Sequence, residues 1–379
     1  MMGKLEYWWR HRMVYPFLRL IFHNPRKDSP IDIQKVRSIL LLRYDRIGDM
    51  IVTTPIFRSL KQINPGLTIG VFASESNAEV IRFNPYVDAV YVLKSHWITL
   101  FLEIMKARTA HYDVVINLIF NRTTSGGMLA NIISPSGVKV GQGDEKYRFY
   151  FNWLLKIDRT KSHMIETFVF IINTVFHREL DPCRLKYEIA INDETKKTIA
   201  AYVKKNHLQP KNHSTGMGEL PYVVLNLSVN DRVRSISREQ AFAIGKHLGS
   251  STFYRTVLLH APNDSSMLEV KQELVRKANC LPFPEQGNAT LLELAALIEG
   301  ARLVVTPDTS IIHFASAVQT PLVGFYTRMQ DFHEWLPHLV KNRIVLTAGH
   351  SPTSTIPIPD MISAIDDFAG ELGLNPMQK

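Results

Sequence analysis
The chain has 379 residues, of which 45% are hydrophobic and 21% charged, with a formal net charge of +9 at pH 7. The length exceeds one ordinary core, so two domains are expected, and the balance of apolar and charged residues is that of a globular protein. The only two cysteines, Cys183 and Cys280, lie far apart and without metal-ligand spacing, which excludes a disulfide framework and points to a reduced compartment.

The first apolar run is broken by Arg10, Arg12 and Arg19, so no secretory signal is expected. No uninterrupted apolar run reaches the roughly 18 residues of a membrane-spanning helix. Residues 1–37 carry eight basic residues against three acidic ones, a net of +5. Such a balance suits nucleic acid, anionic lipid or a phosphorylated substrate, but zinc-finger spacing and RNA-recognition signatures are missing, so nucleic acid ranks last. Within Met1–Phe22, the residues Leu5, Trp8, Trp9, Met13, Phe17, Leu20 and Ile21 fall near helical spacing with arginines between them. That pattern fits a lipid headgroup interface, through residues 1–26, and equally a helix packed on the protein's own body; Pro16 interrupts it. A loop with Pro25 and Pro30 follows over Asn24–Ile33.

The folded body begins at Ser38–Arg43, a continuously apolar run that reads as a parallel strand covered on both faces. It leads through Tyr44-Asp45-Arg46-Ile47-Gly48-Asp49 into a helical pattern carrying Ile51, Ile56, Phe57, Leu60 and Ile63, with Pro55 obscuring the helix start. Asp49 is either a helix N-cap or a general base held at the mouth of the sheet. Strand-like runs at Leu67–Phe72, Ala89–Leu93 and Asp113–Ile119 alternate with helical runs near Asn77–Phe83 and Trp97–Arg108, as in a doubly wound sheet. Asn121 and Arg122 then follow a strand end; Arg122 is a clamp for an anionic acceptor or a solvated surface group. Ser134–Asp144 reads as a loop around a short Val138–Val140 run, and His163–Phe176 as a long apolar helix.

After a crossover through Asp181–Glu219 the alternation restarts, with strands at Pro221–Leu227, Thr256–His260, Leu303–Val305 and Leu322–Tyr326. Helices are expected at Arg238–Leu248, Ser265–Lys277, Thr290–Glu299 and Asp360–Leu372. The loop Ser228–Arg234 holds two arginines that could grip a diphosphate, or simply be solvated. The stretch Val304–Ala317, VVTPDTSIIHFASA, joins a buried strand to a short helix through a Pro-Asp turn. A fresh helix N-terminus seats anions, and Thr309 and His313, four apart, share one helix face. Thr309 or Ser310 as a plain cap and His313 as a satisfied core histidine are the alternatives, and Asp308 stands at the strand's C-terminal edge, where open α/β sheets bind ligands.

With both halves in view, the chain resembles glycosyltransferase family 9, the bacterial ADP-heptose:lipopolysaccharide heptosyltransferases. The carriers are LLLRYDRIGDMIVTTPIFRSLKQINP (Leu40–Pro65) and LLELAALIEGARLVVTPDTSIIHFASAVQTPLVGFYT (Leu291–Thr327), in matching order and spacing, and the likeness runs from Ser38 to Leu372. It implies an α/β chain of GT-B type, two Rossmann-like domains facing across a cleft with a C-terminal helix crossing back to the N-terminal domain. The expected divisions are an N-terminal extension (1–37), an acceptor domain (38–190), a nucleotide-sugar domain (191–350) and a C-terminal loop and helix (351–379). The resemblance also implies inverting transfer with no metal and no cofactor beyond the nucleotide-sugar co-substrate. Asp49 matches the family's catalytic base; Arg234, Asp308, Thr309, Ser310 and His313 match its donor site, with Asp264 aligned more loosely. Asn121 and Arg122 are placed with the acceptor, a lipid-linked glycan, and the enzyme at the inner face of the cytoplasmic membrane. Two departures stand out: Ser310 replaces a frequent glycine, and Ile236 replaces the tryptophan expected after Arg234. A sugar-nucleotide epimerase of the same fold would need a denser set of acid and base groups. A noncatalytic sugar-nucleotide-binding protein would have no need of Asp49. A nicotinamide-dependent dehydrogenase is disfavoured because neither first strand is followed by G-x-G-x-x-G.

Overall fold
The strand Ser38–Arg43 (β1) is buried at every residue, as its unbroken apolar run requires of a strand covered on both faces. The computed structural model describes residue 12 and residues 15–22, 24–120, 123–160, 162–211, 218–229, 231–328 and 332–374. The chain forms two compact units, one of Met1–Arg159 with Met164–Pro182, the other of Thr160–His163 with Cys183–Lys379.

In the first unit a helix, Tyr15–Ile21 (α1), precedes β1. After β1 come Ile47–Ile63 (α2), Thr68–Ser74 (β2), Ala89–Leu93 (β3), Trp97–Thr109 (α3), Val114–Asn117 (β4), Thr123–Ile133 (α4), Val138–Gln142 (β5), Trp153–Leu155 (β6) and Met164–Phe176 (α5). The six strands are parallel in the order β3-β2-β1-β4-β5-β6, with Leu41 of β1 flanked by Val71 and Ile116. Helix α2 packs with α5, and α3 with α4. The sequence reading missed α4 and β6. The α4 segment, TTSGGMLANII, is rich in residues that favour turns, and it becomes helical because tertiary packing overrides that preference. A side-chain carbon at Gly126 would lie 2.7 Å from the Asn117 amide, and one at Gly127 would lie 2.5 Å from the Tyr150 ring, so these glycines let α4 approach closely. Pro55 lies inside α2 rather than at its start, and the Thr54 hydroxyl donates to the Ile51 carbonyl (2.7 Å) that the proline cannot reach.

The second unit contains Asp193–Lys205 (α6), Leu208–Gln209 (β7), Leu220–Asn226 (β8), Arg238–Gly249 (α7), Arg255–Leu259 (β9), Ser265–Lys277 (α8), Leu281–Pro282 (β10) and Leu291–Gly300 (α9). Leu303–Pro307 (β11), Ser310–Ala317 (α10), Leu322–Tyr326 (β12), Asn342–Leu346 (β13) and Ile358–Glu371 (α11) complete it. Its main sheet runs β10-β9-β8-β11-β12-β13, all parallel, with β7 paired to β8. The first strand of each main sheet, β1 or β8, therefore lies between that sheet's second and fourth, the Rossmann order, which opens a crevice where successive connections diverge to opposite faces. Ile236, in place of the expected tryptophan, is 3% exposed and packs into the core beneath α7 and α8. The C-terminal helix α11 is grouped with the second unit, where Met361, Ile365, Phe368 and Ala369 form one apolar stripe that completes that unit's core beside α7, β12 and β13.

Candidate active site
Asp49 lies in the first turn of α2, beyond the C-terminal end of β1. It is not the N-cap: the helix starts two residues earlier, Arg46 holds the cap position, and the Asp49 side chain is turned to Arg43. Arg43 ends β1 with no exposed surface. Its Nη2 donates to Asp49 Oδ1 at 2.7 Å and its Nε to the Asp49 carbonyl at 3.1 Å. Its Nη1 donates to Asp45 Oδ2 at 3.0 Å and to the Leu118 carbonyl. The guanidinium also lies 4.8 Å from the centre of the Phe168 ring on α5. The buried cation thus holds one carboxylate oxygen of Asp49 in place, while that side chain keeps 10% of its surface open. Burial raises the Asp45 carboxyl from 3.8 to about 6, against the opposing pull of Arg43. The sequence reading passed over Arg43 and Asp45, because a charged residue closing an apolar strand looks like a solvated strand end. Asn121 and Arg122, placed with the acceptor by sequence, lie outside the described residues.

In the second unit the loops after β8 and β11, the neighbouring central strands, come together. Asn226 at the end of β8 donates to Thr306 Oγ1 at 3.0 Å and to the Ser228 carbonyl at 3.0 Å, tying the two loops. Arg234 Nη1 pairs with Asp308 at 3.2 Å, and its Nε lies 3.8 Å from Asp231. Its side chain is 26% exposed, so the guanidinium reaches solvent with donors beyond those pairs. Thr309 is the N-cap of α10, accepting from the Ile311 N–H at 3.1 Å, and Ser310 is the first helical residue. The cap interpretation of the Thr309 hydroxyl is therefore met, and the helix start still points at the strand edge. His313 sits behind this edge, 4% exposed, with Tyr187 and Trp335 edge-on at ring distances of 6.3 and 5.8 Å. Burial, with His163 and Arg234 adding to it, lowers its imidazole to about 3, so it is neutral near pH 7. Its Nδ1 is buried with no hydrogen-bond partner among the described residues. His313 thus contributes shape and at most one neutral N–H, while the Thr309 hydroxyl, accepting from the Ile311 N–H, keeps its own O–H to donate. Asp264 is the N-cap of α8, accepting from the Met267 N–H at 3.1 Å, so its side chain is committed to that helix.

Of the two Rossmann-type units, one bears a carboxylate clamped by a buried arginine at its sheet edge and the other an arginine beside a helix start. Residues 103–356 match the family model for glycosyltransferase family 9 (heptosyltransferase). Lipopolysaccharide heptosyltransferase 3 of Escherichia coli is 26% identical over 345 residues, covering 84% of this chain and 95% of that protein. Among solved structures, a glycosyl transferase family 9 protein from Veillonella parvula superposes with a TM-score of 0.75 at 19% identity, over 90% of this chain and 99% of that one. E. coli ADP-heptose LPS heptosyltransferase II follows with a TM-score of 0.69 at 18% identity, over 88% and 99%. The chain belongs to glycosyltransferase family 9 and is an enzyme of its heptosyltransferase group.

Proposed function
We propose that this enzyme transfers a heptose-like sugar from ADP-heptose to the core of a lipopolysaccharide or a related glycan, with inversion at the anomeric carbon and without a metal. The donor and acceptor classes follow the names of the similar E. coli proteins. The observation that carries the mechanism is the Asp49 carboxylate, fixed by buried Arg43 at the C-terminal edge of the first sheet.

Asp49 takes the proton from an acceptor hydroxyl while that oxygen attacks the anomeric carbon from the side opposite the diphosphate. The C–O bond to the diphosphate breaks, and its electron pair leaves on the nucleotide. Arg43 holds one Asp49 oxygen, leaving the other as the proton acceptor. The departing diphosphate gathers charge, and Arg234 with the N-terminus of α10 supplies donors already oriented to receive it. Asp308 orients Arg234, Ser310 adds a hydroxyl at the helix start, and neutral His313 shapes the wall behind. Asn121 and Arg122 would serve the acceptor, and Asp264 would act on the donor only through the placement of α8.

The test is incubation of the purified chain with ADP-heptose and a heptose-deficient lipopolysaccharide core. The expected product is the acceptor heavier by one heptosyl residue, with one ADP released per transfer. ADP release without gain of mass on any core acceptor, or transfer only from another nucleotide-sugar, would overturn the reading.

A further inference from the structure
The buried guanidinium of Arg43 is shared by two carboxylates, of which the transfer mechanism uses only one. Its Nη2 donates to Asp49 Oδ1 at 2.7 Å and its Nη1 to Asp45 Oδ2 at 3.0 Å. One carboxylate is enough to neutralise one arginine, and Asp49 already does so. The second is costly, because Asp45 Oδ1 is shut off from solvent with no hydrogen-bond partner among the described residues. A carboxylate oxygen buried in this way disfavours the charged form, and a neutral side chain at the same position would relieve the penalty.

Nor is Asp45 a chance visitor from a loose loop. It lies in the turn between β1 and α2, and that turn is fastened by Asn77, which is fully buried just after β2. The Asn77 amide donates to the Arg43 carbonyl at 3.0 Å and to the Arg46 carbonyl at 3.4 Å, and its oxygen accepts from the Ser74 N–H at 2.8 Å. The Ser74 hydroxyl donates to the Asp45 carbonyl itself at 3.3 Å. The backbone on both sides of Asp45 is thus pinned, and its side chain is kept within reach of Arg43.

The charged groups acting on Asp45 are Arg43 at the end of β1 and Arg46 and Asp49 at the start of α2. Helix α5 adds an apolar neighbour to the cluster, the Phe168 ring, 4.8 Å from the guanidinium carbon. Burial raises the Asp45 carboxyl to about 6 against the pull of Arg43, with Asp49 adding to the rise. Above that pH Asp45 carries its own charge and draws on the guanidinium; below it the guanidinium faces Asp49 alone. A carboxylate that alone faces a buried guanidinium gives up basicity, and a second carboxylate on the same group opposes the loss.

We propose that Asp45 is a positioning residue for the transfer step: it takes up part of the Arg43 charge, so that the clamp holds Asp49 in place without weakening it as a base. Arg43 then supplies the geometry, and Asp45 restores the proton affinity that this geometry would otherwise remove. Asp45 gains and loses no proton in the step, since the acceptor's proton passes to Asp49. The role rests on Asp49 being the base, as proposed above.

The test is single-turnover transfer from ADP-heptose to the core acceptor by the full chain, followed from about pH 5 to about pH 8.5. Asp45→Asn keeps an oxygen for Arg43 and removes the charge. Its rate constant near pH 8 is expected to fall about 3- to 10-fold, and the acidic limb of its profile to move down by about one pH unit. Donor Kd should be unaltered. Asp45→Glu keeps the charge and is expected to retain the wild-type limb with part of the lost rate restored. An unmoved limb in Asp45→Asn, whatever the rate, would overturn the proposal, because a merely structural residue lowers the rate without displacing the profile. So would a displaced limb in Asp45→Glu, a measurement that stands even if Asp45→Asn does not fold. Asp49→Asn is run in parallel. A wild-type rate there would remove the base and the role of Asp45 with it; a loss there beside an unmoved limb in Asp45→Asn would sink the role of Asp45 alone.

Discussion
Arg43 has no access to water, and four of its donor contacts are made to Asp49, Asp45 and the Leu118 carbonyl. Removing one partner of a buried ion pair leaves the other uncompensated, a loss of about 3–5 kcal/mol. Arg43→Met should therefore destabilise the fold by that amount in denaturant titration. Arg43→Lys keeps the charge but not the planar fork, and should retain more stability while lowering kcat more than it raises KM. A fold indifferent to Arg43→Met would contradict the clamp. Asp45 makes a pH prediction of its own. Its folded value, about 6, lies above the ordinary 3.8, so the native state holds the proton more tightly. The resulting stabilisation is present below about pH 4 and is lost as the pH rises through 6. Wild type should gain stability relative to Asp45→Asn between pH 7.5 and 4.5, and parallel pH dependences would refute the assignment. Neither role was legible in sequence. A charged residue closing an apolar strand reads as the point where the chain meets water, and only the placement of Phe168 and Leu118 over it makes it a buried cation. The position of Asp49, by contrast, was legible, because a glycine-aspartate pair between strand and helix falls at the strand's C-terminal edge.

The short helix α10 was the clearest element in the sequence, since its strand, Pro-Asp turn and hydroxyl pair fall in order. What the pattern did not show was how the hydroxyl is used. Thr309 caps the helix, so Thr309→Ala should cost about 1 kcal/mol of stability. The same variant should raise KM for the donor as the helix start loosens; an unaltered stability and KM would mean that the cap carries no weight. Helix α4 shows the opposite case, a turn-like composition driven into a helix by close packing. Gly127→Ala would put a carbon 2.5 Å from the buried Tyr150 ring, and overpacking of that kind costs about 1–3 kcal/mol. A variant as stable as wild type would show that the ring can yield.

Across the whole chain, the two Rossmann-like sheets were readable from repeated strand–helix alternation, because strands covered on both faces leave unbroken apolar runs. The edge strands β6, β10 and β13 were not, being short or half-buried and without that signature. The destination of α11 was unreadable for a different reason: an amphipathic helix announces that it packs, but not upon what. In the proposed mechanism one chemical event draws on both units, the base being Asp49 of the first and the groups for the leaving diphosphate Arg234 and the α10 N-terminus of the second. If Arg234 and the α10 N-terminus carry the leaving charge, transfer should persist at its full rate in excess chelator, and a strict divalent-cation requirement would contradict that assignment. The most direct measurement concerns Asp49 itself. Single-turnover transfer by Asp49→Asn at saturating ADP-heptose should fall by about 10²–10⁴-fold, the usual contribution of a positioned base, while calorimetry finds the donor Kd nearly unchanged. A wild-type rate constant, or a loss accounted for by weakened donor binding, would contradict the account.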